Sequence, residues 1–122
     1  MIKINDLRTG NILSYKTDEG DVYAPIDWQD LKWLTEDSVN FNLAHSAIPL
    51  TEDMLLKLGF SYRNEHRGKG AIMDGNSTAV GITESGIRHL ETWVKVGYLH
   101  MLQNLYFFIK NEELNTTKLT NP

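Results

Sequence analysis

The chain has 122 residues, no cysteine and a formal net charge of −4. A chain of this length fits one domain that buries roughly two thirds of the surface its unfolded form exposes, so a single core is expected. The missing cysteines exclude disulfide staples, thiolate metal sites and cysteine nucleophiles, and no window reaches the ~18 uninterrupted apolar residues of a membrane span.

The opening MIKINDLRTG carries Lys3, Asp6 and Arg8 where a secretory leader needs an apolar run, which makes the cytoplasm the expected compartment. Charge is uneven along the chain: residues 1–37 hold four bases against eight acids, and the remainder balances. Asp18, Glu19, Asp21, Asp27 and Asp30 form an acidic face that would repel a nucleic-acid backbone and attract a basic partner, or serve only to keep the turns solvated.

The first fifty residues read as short strands joined by turns. Residues 11–15 follow the Arg8-Thr9-Gly10 turn, and Thr17-Asp18-Glu19-Gly20 is a reversal with glycine at the position needing positive φ. Val22, Ala24, Ile26 and Trp28 alternate, as do Leu31, Trp33 and Thr35, and then Val39, Phe41 and Leu43. Pro25 assigns its strand to an edge or bulge, because proline donates nothing to a ladder. Four or five such strands make a small, strongly bent antiparallel sheet, an SH3-like N-terminal half. A helix over residues 27–34 competes, since Trp28, Leu31 and Leu34 also fit helical spacing.

A short central helix is clearer. Thr51 caps it, Glu52 and Asp53 lie at the positive end of its dipole, and Gly59 ends it. Leu55 and Leu58 are its core contacts, with Leu50 stapled outside the first turn. Five glycines between residues 60 and 86 punctuate short apolar runs at 60–62, 71–73 and 79–82, which predicts a second antiparallel hairpin region. Residues 93–96 read as a last strand. Residues 97–109 carry no formal charge and form the C-terminal core helix, with Tyr98, Leu102, Leu105 and Ile109 inward and Met101 and Phe108 widening the same face. The domain is read as residues 1–114, with 115–122 a frayed tail. The fold class is α+β.

No catalytic pattern stands out. His45, His66, His89 and His100 share no ligand spacing, and the calcium-like start at Asp74 lacks both the glycine at its sixth position and the glutamate at its twelfth. Gly68-Lys69-Gly70 lacks the remainder of a phosphate loop, and Ser85 is not in a nucleophile elbow. Glu112 and Glu113 read as solvated. No cofactor or metal is expected. The charged feature that invites binding runs from Arg63 through His66 and Arg67 to Lys69, beside Tyr62 in a glycine-rich hairpin, where arginine forks and close backbone approach suit phosphate, RNA or an acidic protein face. Trp28, Trp33 and Trp93 read as core or half-buried sheet residues. Phe107 falls on the polar stripe of His100, Asn104 and Asn111, so it either fits under a neighbouring loop or marks a contact surface.

Three segments carry a resemblance. Leu7-Arg8-Thr9-Gly10-Asn11, then Ile48-Pro49-Leu50-Thr51 running to Leu58-Gly59-Phe60, and finally residues 98–107 followed by Glu112-Glu113-Leu114, together resemble a family of small uncharacterised proteins from phages and prophages of Bacteroidota. Its pattern is LRxGN, IPLT with LGF, and YxHxLQNLYF. This chain departs at Met101, where the family has glutamine, and at Lys110-Asn111, where it has Thr-Gly; residues 62–93 have no counterpart. The resemblance implies a phage-encoded accessory protein of an infected or lysogenic bacterial host. It implies a binding module that antagonises a host protein or ribonucleoprotein, as anti-CRISPR proteins do. The alternative is an RNA- or DNA-binding accessory protein that uses the hairpin from Arg63 to Lys69.

Overall fold

In the computed structural model, the described residues are 1–63, 71–73, 80–83, 86–90, 92 and 94–120. After a 3-10 turn at Ile4–Asp6, the chain forms β1 (Ile12–Thr17), β2 (Gly20–Pro25), α1 (Trp28–Glu36), α2 (Ser38–Ala44) and the two-residue β3 (His45–Ser46). Next come α3 (Glu52–Lys57), β4 (Ser61–Arg63), β5 (Ala71–Met73), β6 (Val80–Thr83), β7 (Gly86–His89), α4 (Leu99–Lys110) and α5 (Thr117–Thr120). Two antiparallel sheets result, a three-stranded one in the order β2-β1-β3 and a four-stranded meander β4-β5-β6-β7. The α+β class expected from the pattern is the class observed.

The turn between β1 and β2 forms where the sequence puts it. Gly20 takes φ +116° and Thr17 Oγ1 donates to its carbonyl at 2.5 Å, fixing a register that sets Tyr15 opposite Val22 and Lys16 opposite Asp21. Pro25 ends β2, which is an edge strand as its missing donor requires.

Residues 27–44 differ from the strand reading. Asp27 accepts from the N–H groups of Gln29 and Asp30 while Asp30 Oδ2 accepts from Asp27 N–H, a reciprocal capping box that starts α1. Asp37 closes α1 and caps α2 through Asn40 N–H. The alternations at Leu31, Trp33, Thr35 and at Val39, Phe41, Leu43 therefore lie on a helix pair, and the half read as SH3-like is a three-stranded sheet backed by two helices. Trp28 is 63 % exposed on the first turn of α1, not part of the core. Trp33 is half-buried, with its ring edge-on to Phe41 and His45 at 5.5 Å each, while those two stack at 4.0 Å.

The interior is split by β1, contrary to the single core expected. Ile12 joins a large cluster with Leu55, Val80, Ile87, Leu99 and Leu102, whereas its neighbour Leu13 joins a smaller one with Ile2, Ile26, Leu34 and Phe41. Successive strand residues point to opposite faces, so a strand covered on both sides feeds both clusters.

Thr51 caps α3 through Met54 N–H, and Gly59 at φ +99° ends it, as its sequence signals require. Residues 94–96 do not form a ladder strand. Lys95 makes an isolated bridge to Arg88, with Val96 N–H donating to the Ile87 carbonyl at 2.9 Å. The segment read as a frayed tail holds α5, whose Leu119 packs on the large cluster.

The last long helix, α4, is where expected, and Leu102 and Leu105 face the large cluster as expected, but the rest of its buried side differs. Leu99, His100, Leu102 and Gln103 are buried, while Met101 is 39 % and Phe108 86 % exposed. Asn111 at φ +55° stops the helix.

Candidate binding surfaces

Polar residues of α4 are buried because the backbone of the N-terminal segment needs them. Gln103 Oε1 accepts from Ile12 N–H at 2.7 Å, and its Nε2 donates to the Gly10 carbonyl at 3.1 Å. Asn104 accepts from Asn11 Nδ2 at 2.8 Å and donates to the Asp6 carbonyl at 3.0 Å. Arg8 completes this clasp with a forked pair to both oxygens of Glu113, a bond to the Gln103 carbonyl at 3.2 Å, and its guanidinium 4.4 Å from the centre of the Phe107 ring. The Leu7-to-Asn11 motif and the motif of residues 98–107 are therefore two halves of one structural joint. Phe107 lies beneath the Arg8 guanidinium and stays 37 % exposed. Glu113, read as solvated, is 54 % exposed and also pairs with Arg8.

The acidic face divides in two. Asp27 and Asp30 are spent on the α1 cap, leaving Asp18, Glu19 and Asp21 exposed at the end of the β1–β2 hairpin. The outer half of that hairpin, residues 15–22, is exposed throughout. On it, Tyr15 and Val22 form a cross-strand apolar pair, 41 % and 49 % exposed. A groove of about 630 Å³ runs alongside, walled by Asp21, Val22 and Tyr23 on one side and Ile48, Pro49 and Leu119 on the other. Apolar contact area and carboxylates thus stand together on a protruding, turn-locked element.

The basic hairpin is placed differently. Tyr62 and Arg63 belong to β4, paired with Ile72 and Ala71 of β5, while His66, Arg67 and Lys69 lie outside the described residues. Trp93 lies outside them too.

A second groove, of about 860 Å³, was not foreseen from the sequence. It is lined by Met101, Leu105 and Phe108 of α4 and by Tyr98 just before the helix, together with residues of the N-terminal turn, of α2 and β3, and of the segment 94–96. The polar side chains lining it are largely occupied. Asn42 bonds the Ile2 backbone and the Ser38 carbonyl, His45 Nδ1 donates to the Phe41 carbonyl at 3.1 Å, and Asn104 is in the clasp. His100 is 5 % exposed, stacked on Tyr98 at 5.9 Å, with Nδ1 sealed from solvent and without a hydrogen-bond partner among the described residues. Burial lowers its pKa, against an opposing effect of the Asp6 charge. Part of the signal for this groove was in the sequence: Met101, Leu105 and Phe108 recur at four and three residues along the helix.

Among the described residues no three histidine, aspartate or glutamate side chains gather to hold a metal ion, and no helix is long and apolar enough to cross a membrane. No protein-family model matches this chain, and neither a curated protein nor a solved structure matches it.

Proposed function

We propose that this chain is a phage-encoded, non-enzymatic accessory protein that binds and antagonises a host protein or ribonucleoprotein in the cytoplasm of an infected or lysogenic bacterium, as an anti-defence factor of the anti-CRISPR kind. The observation that supports the reading is the outer half of the β1–β2 hairpin. It carries Asp18, Glu19 and Asp21 at its tip and the exposed pair Tyr15 and Val22 on one face. An apolar pair flanked by carboxylates complements a basic face with apolar spots, such as a surface that otherwise holds guide RNA. The turn is locked by Thr17 and Gly20, so little ordering entropy is lost on contact.

The test is a tagged pulldown from infected host cells, reading both proteins and RNA. The wild-type chain is run beside an Asp18→Asn, Glu19→Gln, Asp21→Asn triple variant and a Val22→Asp variant. A host protein or ribonucleoprotein retained by the wild type and lost by both variants is the expected result. A captured set that ignores both variants, or small-molecule turnover in a metabolite screen, overturns the reading.

A further inference from the structure

The three-stranded sheet carries a row of hydroxyls that the fold itself does not use. Its register sets Ser14 of β1 opposite both Tyr23 of β2 and Ser46 of β3, so the three side chains stand on one face in a line across the strands. All three line the groove of about 630 Å³ beside the hairpin. None of their hydroxyls has a hydrogen-bond partner among the described residues. Ser14 is the telling member, because it is only 9 % exposed. Two positions earlier on the same face, Ile12 belongs to the large cluster, and an apolar side chain at position 14 would extend that cluster and seal the groove floor. A buried hydroxyl without a partner is destabilising, so whatever fills the groove supplies the missing bond.

The lining defines the occupant. Serine and tyrosine hydroxyls both donate and accept, which suits a ligand whose own polar groups are hydroxyls. Neighbouring strands lie about 4.8 Å apart, close to the separation of alternate equatorial hydroxyls on a six-membered sugar ring. Asp21 is the charged residue of this lining, while Lys16, opposite it in the register, lies outside. A carboxylate accepts from two adjacent sugar hydroxyls and repels phosphates and other carboxylates. Pro49 and Leu119 give an apolar wall for the C–H face of the ring. The volume is within the range of small-molecule sites.

We propose that this groove binds a neutral pyranose sugar, free or at the end of a glycan, through the hydroxyls of Ser14, Ser46 and Tyr23 and the carboxylate of Asp21. This goes beyond the role given to the hairpin. Asp21 and Val22 border both surfaces, but Ser14 is buried below the hairpin tip and belongs to the groove alone.

The purified chain is titrated with glucose and N-acetylglucosamine and, as glycan ends, with maltotriose and triacetylchitotriose, following backbone amide NMR signals. Probe concentrations run to about 20 mM, which reads dissociation constants in the millimolar range. Saturable shifts centred on residues 14, 21, 23 and 46 are expected. A single sugar that binds as well as its trisaccharide marks a free ligand, and binding of the trisaccharide alone marks a glycan. Ser14→Ala and Asp21→Asn should each weaken binding about tenfold, as befits the loss of a bond to the ligand. Ser14→Ala should not lower the melting temperature, since its hydroxyl bonds nothing in the chain. The absence of a saturable shift with all four probes overturns the proposal. Binding that Ser14→Ala leaves unchanged overturns it too, as does tighter binding of glucose 6-phosphate than of glucose. No host partner enters this readout, and Ser14→Ala should retain whatever the pulldown captures, so the two readings fail separately.

Discussion

Gln103 Oε1 accepts the backbone N–H of Ile12 at 2.7 Å, so a side chain of α4 supplies a hydrogen bond at the start of β1. Its amide nitrogen meets the Gly10 carbonyl from the same position. One fully buried glutamine thus satisfies two backbone groups of a different element.

Replacing Gln103 by leucine keeps the bulk and removes both bonds. The Ile12 N–H and Gly10 carbonyl then lose their partners, at a cost of about 2 to 4 kcal/mol. Urea unfolding of the variant is expected to show a lower midpoint at an unchanged m value.

Arg8 gives a test of the fork. Arg8→Lys retains the charge but loses the two-point contact with Glu113 and the flat contact with Phe107. The pair is partly solvated, so the loss is modest, about 1 kcal/mol. Thermal melts of Arg8→Lys and Glu113→Gln, alone and together, should show the two losses to be strongly non-additive; simple addition would mean the residues act independently.

The division of the acidic residues is equally checkable. Asp27→Ala removes the α1 cap and should destabilise by about 1 to 2 kcal/mol. Asp18→Asn, at the hairpin tip, should stay within about 0.5 kcal/mol. Denaturant midpoints separate the two, and equal effects would refute the division.

Stability should also depend on pH through His100. Its folded pKa lies below the ordinary 6.5, with burial the larger cause and Asp6 opposing it. As pH falls through 6.5 the unfolded chain binds the proton first, so this contribution is whole above that value. It is lost progressively until the lower folded pKa is reached, and then levels off. His100→Phe keeps an aromatic ring, removes the sealed Nδ1, and should flatten the fall in urea midpoint between about pH 7 and pH 5. A His100→Phe profile parallel to that of the wild type would assign the dependence to other groups.

Much of this fold was legible where a local rule decides. Thr51 and Gly59 bracket α3, Gly20 turns the first hairpin, and glycine-punctuated runs give the second sheet. Residues 27–34 left strand and helix both open, and the helix is what forms, while residues 39–43 misled, because two-turn helices are too short for a 3.6-residue period to outweigh chance alternation. The deciding signal was the reciprocal cap between Asp27 and Asp30, with aspartate in the place usual for glutamate. The inner side of α4 was misjudged for a different reason. Polarity along a helix says which residues want hydrogen bonds, without saying that backbone carbonyls and amides of a distant segment will provide them. His100 and Asn104 were placed on the polar stripe, and Met101 and Phe108 on the apolar face in their stead.

The joint between Gln103 and Ile12 also orders events during synthesis. Its partners are 91 positions apart, so the front of the molecule leaves the ribosome long before the residue that closes it. A nascent chain halted before that helix emerges holds a sheet with open bonds at its base, and the joint closes only once α4 is free to fold.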